Sequence, residues 1–197
     1  IWINENESAT FWTEVFEEIK ARGVEEILFI SLDGLSGLSE AIEQIYPKAK
    51  TQRCIVHIVR NIYGILDKKK SKEIIGNLKK IYTASNGNNA KLEYENFIEK
   101  YKSNEKLIKK LNSVIENIFN IFEYPIEIRK IIYTTNPIES LNSSLRKVTR
   151  GKGSFISKEA LLKVLYLRIK DLEKSWSKGT RNWENVKHQL IELYGER

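Results

Sequence analysis

Asp33 is the first residue whose type and position could support chemistry. It directly follows the apolar run 26–32 and precedes Gly34. An apolar, β-branched run of this length is typical of a buried strand, and α/β folds place ligand-binding groups at the carboxyl ends of their strands. A carboxylate there could bind a hard cation such as Mg²⁺ together with substrate phosphate oxygens. The alternative is an ordinary Asp-Gly turn after a strand.

Glu139 is the second candidate, and it lies three residues after Asn136 in an Asn-Pro helix start. It could close a capping box at the start of that helix, or it could present its carboxylate to a site. Asn142 and Arg146 share its helix face, and further basic residues follow. These cations could bind a phosphate backbone, or they could be a solvated helix end that the helix dipole favours. The candidate phosphate-binding residues are Arg146, Lys147, Arg150 and Lys152.

Cys54 and His57 are three residues apart and share one face of a predicted helix. A zinc site needs four ligands, or three and a water, and His188 is the one further His or Cys in the sequence. A Cys–His catalytic dyad would need a supporting acid and an oxyanion hole, and the sequence indicates neither. We therefore expect Cys54 and His57 to pack or hydrogen-bond in support of a neighbouring site.

Strands and helices alternate over the first sixty residues. Residues 1–3 resemble the end of a strand, 26–32 a strand covered on both faces and 50–54 a short strand, with helical spacing between them. This order predicts an α/β fold in which helices pack against a sheet. From 62 to 132 apolar residues recur at helical spacing alone, which predicts an all-helical insertion. Two more helices follow after residue 133.

Local signals predict several helix ends. Ser8 or Asn6 could cap the first helix, and Gly23 suits the left-handed position after its last turn. Residues 86–89, Asn-Gly-Asn-Asn, predict a turn between two helices of the insertion. Leu92 is predicted to belong to the apolar stripe of the second of these helices.

The net charge of +7 is unevenly distributed along the 197 residues: −4 over residues 1–60, +5 over 61–132 and +6 over 133–197. A basic surface attracts polyanions, nucleic acid above all. No apolar stretch approaches the roughly 18 residues of a membrane-spanning helix, and no secretory signal is visible. The single cysteine favours a reducing, cytosolic setting. Because the chain lacks methionine and begins at Ile1, we interpret it as a fragment of a longer protein.

Two long motifs together resemble the Mutator-like transposases of bacterial insertion sequences. Residues 32–42 read LDGLSGLSEAI and residues 52–61 read QRCIVHIVRN, separated by a Tyr-Pro-Lys-Ala segment at 46–49. Residues 133–142 read YTTNPIESLN, with Arg-Lys at 146–147 and a phenylalanine at 155. The approach to the first motif, Trp2-Ile3 to Phe11-Trp12, is also similar, so the likeness spans residues 1 to about 176.

The resemblance implies a ribonuclease H-like fold with an Asp-Asp-Glu triad that binds two Mg²⁺ or Mn²⁺ ions. Asp33 matches the second Asp and Glu139 matches the Glu, with a helical insertion between them. The first Asp would lie upstream of Ile1, and Asp67 and Asp171 are in helical contexts that cannot replace it. We therefore expect this chain alone to be inactive.

The same resemblance implies the remaining roles. Residues 1–61 and 133–197 would form an incomplete, truncated-sheet catalytic domain around the insertion 62–132. DNA, as element ends and target, would contact Arg60, Arg146, Lys147, Arg150 and Lys152, while Cys54, His57 and Asn142 would support the active site. The implied protein is a DNA transposase that cleaves DNA and transfers strands, acts as a homo-oligomer in the bacterial cytoplasm and has no membrane contact.

Two other classes remain open. A non-catalytic, basic DNA-binding or regulatory protein derived from a transposase would use the same cations without metal. A helix-lined interaction module would dimerise through its apolar stripes without affinity for DNA.

Overall fold

A computed structural model describes residues 1–4, 6, 8–34, 37–133, 136–176 and 182–195. The chain is mostly helical and contains a two-stranded parallel sheet of β1 (Phe29–Leu32) and β2 (Lys50–Arg53). Its helices are α1 (Ala9–Ala21), α2 (Leu38–Ile45), α3 (Ile55–Tyr63), α4 (Lys68–Tyr82), α5 (Gly87–Tyr101), α6 (Glu105–Asn112), α7 (Ile115–Phe119), α8 (Ile126–Ile132), α9 (Asn136–Thr149), α10 (Lys158–Trp176) and α11 (Trp183–Tyr194), with a 3₁₀ turn at Asn120–Glu123 between α7 and α8.

Helix α1 has the ends that the sequence predicts. The Ser8 hydroxyl accepts a hydrogen bond from the Phe11 amide at 3.2 Å, and Gly23 follows the helix with a φ of +98°. The apolar face of α1 packs against α2. The two helices and β1 enclose a small core of Phe16, Leu32, Leu38, Ala41, Ile42 and Tyr46.

The sheet is smaller and more exposed than predicted. The run at 26–32 yields a strand of only four residues, and Ser31 in that strand is exposed, so the prediction of a strand covered on both faces is wrong. Residues 1–3, predicted to end a strand, are not in one. Instead the Trp2 indole N–H donates to the Glu18 carboxylate of α1. Apolar, β-branched composition alone therefore overstated the sheet, because strand formation also depends on packing against neighbouring strands and on burial in the fold.

The helical segment predicted at 62–132 is confirmed, and it supplies most of the main hydrophobic core. Leu107, Leu111, Ile118 and Ile121 have no exposed surface, and they pack with buried residues of α4 and α5. The same core includes Ile55, Ile58 and Ile62 of α3 and Val186 of α11. The main core thus contains residues from both sides of residue 61, where the sequence analysis divides the chain into domains, and that division stays a prediction.

Two local predictions in the insertion are wrong. Residues 86–89 do not form the predicted turn, because α5 already begins at Gly87. Asn86 caps this helix by accepting a hydrogen bond from the Asn89 amide at 2.9 Å. Leu92 is 56% exposed rather than part of the buried stripe. Ala90 and Phe97 are the buried residues of α5, and Tyr94 and Tyr101 are half-buried beside them. The other predicted members of this stripe, Phe97, Ile98 and Tyr101, do pack on the main core, so the error is confined to Leu92.

Two buried polar side chains bind backbone carbonyls of distant segments. The Arg129 guanidinium donates to the carbonyls of Ala84 and Ser85, both at 2.8 Å, and lies 4.7 Å from the centre of the Phe122 ring. It thereby satisfies carbonyls just beyond the end of α4. The Gln52 side-chain amide donates to the Asn117 carbonyl at 2.6 Å, which joins β2 to α7.

An aromatic contact joins the sheet, the insertion and the last helix. Tyr124, which follows the 3₁₀ turn, packs edge-on against Phe29 of β1 at 5.4 Å and hydrogen-bonds to Tyr194 of α11. Burial, helped by the neighbouring Tyr194 and Glu123, raises the pKa of the Tyr124 phenol to about 12. Among the described residues, no helix is both long and apolar enough to cross a membrane.

Candidate active site and nucleic-acid interface

Asp33 lies where the sequence analysis expects it, directly after β1. The parallel register pairs Leu32 with Arg53, and the Cys54 amide donates to the Leu32 carbonyl at 2.5 Å. Because both strands end together, Asp33 and Cys54 leave the same edge of the sheet. Asp33 is exposed there. The edge therefore presents a carboxylate to solvent directly after β1.

Arg53 is a residue at this edge that the sequence analysis did not assign. Gly34 has a φ of +97°, and a Cβ added there would lie 3.2 Å from both Nε and Nη2 of Arg53. The Arg53 side chain thus packs directly against Gly34. Only the parallel register of residues 29–32 with 50–53 brings the two together, so no local pattern in the sequence predicted this contact.

Cys54 and His57 lie at the beginning of α3, beside the strand edge. Cys54 is buried at 6% exposure and immediately precedes the helix. His57 is half-buried, and its Nδ1 is buried without a hydrogen-bond partner among the described residues. A buried, unsatisfied imidazole nitrogen costs free energy unless a ligand or water completes it. The supporting role predicted for these two residues stays a prediction.

Arg60, one turn further along α3, forms an ion pair with Glu139 of α9. The two side chains are 55% and 41% exposed, so the pair is at the surface. The motifs predict phosphate binding for Arg60 and metal binding for Glu139. They do not predict a contact between the two side chains. The ion pair connects α3, whose apolar residues belong to the main core, to α9, whose described residues do not.

A cleft of about 500 Å³ surrounds this pair. Its lining contains four cationic side chains and one carboxylate, together with two neutral polar groups. Lys152 is outside the lining and lies 5.9 Å from the Phe155 ring centre. Most of the predicted site residues thus line one cleft, whereas Asp33, Cys54 and His57 are outside its lining. The lining residues are Arg60, Glu139, Asn142, Ser143, Arg146, Lys147 and Arg150.

Helix α9 positions the cleft side chains by its amphipathic pattern. Leu141, Leu145 and Val148 are half-buried, and α9 packs against α10. The opposite face presents the exposed residues Asn142 and Arg146 to the cleft. Glu139 is in the first turn of α9, but the side chain of Asn136 lies outside the described residues, so its predicted capping role is untested.

The two predicted metal ligands, Asp33 and Glu139, have chemistry that suits a hard divalent ion. Carboxylate oxygens are the donors that Mg²⁺ prefers. In the described part of the chain, no three His, Cys, Asp or Glu residues are placed to hold a metal together. The Glu139 carboxylate pairs with Arg60, and Asp33 does not line the cleft. The metal-binding role of the two carboxylates stays a prediction.

Comparison with known proteins identifies the family. The family model "Transposase, Mutator family" matches residues 1–179. The chain is 35% identical over 199 aligned residues to a probable transposase for the ISRM3-like insertion sequence element of Sinorhizobium fredii and, equally, to the transposase for ISRM3 of Rhizobium meliloti. Both alignments cover 100% of this chain and 50% of the relative. The transposase for IS905 of Lactococcus lactis is 32% identical over 84% of this chain and 42% of its own length.

The chain belongs to the Mutator family of transposases. This confirms the resemblance that the two sequence motifs indicated. The chain spans about half the length of the curated relatives it matches, so the activity of a whole transposase is not assigned to it by this likeness.

Proposed function

We propose that this chain is part of the catalytic unit of a DDE transposase, which cuts the ends of an insertion sequence and joins them to target DNA. One observation carries the proposal: Glu139, the predicted catalytic carboxylate, shares a cleft with four cations that suit a phosphate backbone. A carboxylate that holds a catalytic metal must lie near the phosphate that reacts, and neighbouring cations can position that phosphate. The family of the chain supports DNA as the partner.

The proposed fold is ribonuclease H-like, divided as 1–61 and 133–197 with the insertion 62–132. Its support is a parallel strand pair with Asp33 at the carboxyl edge and helices following each strand. In this proposal Asp33 and Glu139 would hold Mg²⁺ or Mn²⁺. When bound, two such ions activate the attacking oxygen and stabilise the leaving oxygen during phosphodiester cleavage. We further propose that the active complex is a homo-oligomer in the bacterial cytoplasm.

The cationic residues have a role that does not depend on metal. Arg146, Lys147 and Arg150 lie along one exposed face of α9 and the residue after it, so they can contact successive phosphates. Asn142 and Ser143 can donate hydrogen bonds to the same backbone. Lys152 extends this surface beyond the cleft. Such contacts bind DNA with little discrimination between sequences.

The nucleic-acid role can be tested on the chain itself. Replacing Arg146, Lys147 and Arg150 together by alanine should weaken binding to a labelled duplex, measured by fluorescence polarisation. It should also lower the slope of log K against log salt by about 2–3, because each lost phosphate contact removes roughly 0.9 from that slope. A matched control replaces three exposed lysines outside the cleft, Lys50, Lys91 and Lys187. An equal loss in the control would mean that the cleft is not the binding surface.

The catalytic role needs a protein of the relatives' length that contains this sequence. There, Asp33→Asn or Glu139→Gln should abolish Mg²⁺-dependent joining of labelled element ends while DNA remains bound. Joining at wild-type rates in either variant would refute the assignment of that carboxylate. Because this chain carries two of the three implied carboxylates, we expect it to join no DNA by itself.

A second candidate function is non-catalytic DNA binding. The observation that favours it is the Arg60–Glu139 ion pair, which leaves the predicted catalytic carboxylate neutralised by a cation. This alternative predicts that no divalent ion alters DNA binding and that no variant of Asp33 or Glu139 changes any DNA-joining activity. The joining experiment above distinguishes the two candidates.

A further inference from the structure

The Arg60–Glu139 ion pair engages two groups that the proposed function assigns to other ligands. Arg60 is on α3, whose residues Ile55, Ile58 and Ile62 are buried in the main core, so its backbone position is fixed. Glu139 is on α9, and none of the described side chains of α9 is buried. The ion pair is therefore a contact between a rigid element and a loosely packed one.

Arg60 differs from the other cations of the cleft. In the described part of the chain it is the one lining cation that pairs with a carboxylate, whereas Arg146, Lys147 and Arg150 have no acidic partner. A guanidinium presents a planar fork of donors that fits a carboxylate and a phosphate equally well. A phosphate entering the cleft therefore competes with Glu139 for the same donors.

We propose that Glu139 is an internal competitor for the phosphate site at Arg60, and that nucleic-acid binding exchanges the carboxylate for a backbone phosphate. The proposal rests on the proposed binding of DNA in this cleft. The side chains of the pair are about half exposed, and surface ion pairs of this kind are weak. The exchange is therefore reversible, because a phosphate backed by three further cations can displace a single carboxylate.

The exchange has a consequence for Glu139. When Arg60 turns to a phosphate, the Glu139 carboxylate is released at the moment the DNA backbone reaches the cleft. Binding energies are reciprocal, so anything that draws Glu139 away from Arg60 strengthens phosphate binding by the same factor. Arg60 thus contacts the Glu139 carboxylate when the cleft is empty and a backbone phosphate when DNA is bound.

A double-mutant cycle on the chain tests this coupling. The variants are Glu139→Gln, Arg60→Ala and both together, and the readout is the affinity for a labelled DNA duplex as a function of salt. Glu139→Gln should tighten binding by about two- to fivefold, because it frees Arg60 from a surface pair. The salt slope should steepen by about 0.9, since one more cation then neutralises a phosphate. In the Arg60→Ala background the same substitution should lose this gain.

The matched control is Glu192→Gln, which removes the same charge from an exposed position on α11 outside the cleft. It should change affinity by less than about twofold, in either background. Circular dichroism and thermal melting of each variant establish that it folds. An identical gain from Glu139→Gln with and without Arg60, or no gain at all, would overturn the exchange while leaving DNA binding intact. If neither the wild-type chain nor any variant binds the duplex, the proposed function itself fails, and the exchange with it.

Discussion

The main core and the pair of helices α9 and α10 are built on opposite principles. In the main core Leu107, Leu111 and Ile118 have no exposed surface, and short helices enclose them from several directions. In α9 and α10 no described side chain is buried, and the two helices pack mainly against each other. Burial in the main core therefore contributes most of the stability of the fold. The pair α9 and α10 carries the charged candidate site and contributes little buried apolar surface.

Two arginines show the same contrast on a smaller scale. Arg129 is buried at 5% exposure and donates to two backbone carbonyls, and no carboxylate among the described residues pairs with it. Arg60 is about half exposed and pairs with a carboxylate. A buried charged hydrogen bond is costly to break, whereas an exposed ion pair exchanges readily with solvent or ligand. The difference teaches that burial, rather than charge, decides which arginine is structural.

The largest effect should come from a cavity in the main core. Leu107→Ala removes side-chain volume at a fully buried position and should lower the free energy of unfolding by about 2–5 kcal/mol. Leu167→Ala on α10 is the matched control, since Leu167 is 56% exposed, and it should cost well under about 1 kcal/mol. Urea unfolding measures both. Similar losses of stability in the two variants would contradict the contrast between a stabilising main core and the lightly packed pair α9 and α10.

The next effect should come from the buried arginine. Arg129→Met keeps an apolar stem but removes both bonds to the carbonyls of Ala84 and Ser85, and it should cost about 2–3 kcal/mol. Arg146→Met, at an exposed position of α9, should stay within about 0.5 kcal/mol. The same unfolding experiment applies, and a larger loss for Arg146 would reverse the proposed roles of the two positions.

A glycine at the strand edge should have an intermediate effect. Gly34→Ala forces a side chain into a left-handed conformation beside the Arg53 guanidinium, and it should cost about 1–2 kcal/mol. Gly76→Ala makes the same chemical change inside α4, where a Cβ meets nothing within 4 Å. It should instead stabilise the chain by about 0.5–1 kcal/mol. Thermal unfolding measures both variants. A change of stability in the same direction for both would contradict the left-handed backbone and close Arg53 contact at Gly34.

Alkaline pH should weaken the aromatic contact between sheet and insertion. The pKa of Tyr124 is raised from 10.0 to about 12, so the folded chain holds this proton more tightly than the unfolded chain does. Its contribution to stability is therefore complete below pH 10 and is lost as the pH rises towards 12. Tyr124→Phe should abolish that part of the pH dependence in denaturant unfolding, whereas Tyr63→Phe, at an exposed position, should leave it unchanged.

The smallest effect on stability should come from the site itself. Arg60→Ala should change the free energy of unfolding by less than about 1 kcal/mol, because its ion pair is exposed. Local opening at the start of α9 should change more than the overall stability does, because the first turn of α9 loses its contact with α3. Amide hydrogen exchange followed by mass spectrometry should show faster exchange in residues 138–142 and unchanged exchange in α6. Slower or unaltered exchange in α9 would mean that other contacts hold this helix.

Features that depend on neighbouring residues in the chain could be predicted from the sequence. Ser8 and Gly23 mark the ends of α1 because capping and left-handed backbone are local chemistry. The helical nature of 62–132 also followed from spacing alone. Leu92 shows the limit, since helical spacing does not tell how much of an apolar stripe the neighbouring helices will cover.

The candidate site divides in the same way. Local spacing placed Glu139, Asn142 and Arg146 on one face of α9, and the cleft confirms that they lie together. The two motifs carried the family, which the comparisons confirm. The contacts of Arg53 with Gly34 and of Arg60 with Glu139 join residues distant in the chain. No periodicity in the sequence encodes such a pair, because it depends on how whole helices and strands are placed.

The sequence by itself determined the family, the helix and strand types and the basic character of the second half of the chain, because motifs, periodicity and charge are properties of neighbouring residues. Only the tertiary structure decided which charges meet. It made Arg60, which was predicted to bind phosphate, the partner of Glu139, and it left Asp33 outside the lining of their cleft. The physical reason is that an ion pair forms between the groups that packing brings within a few ångströms, whatever their separation in the chain.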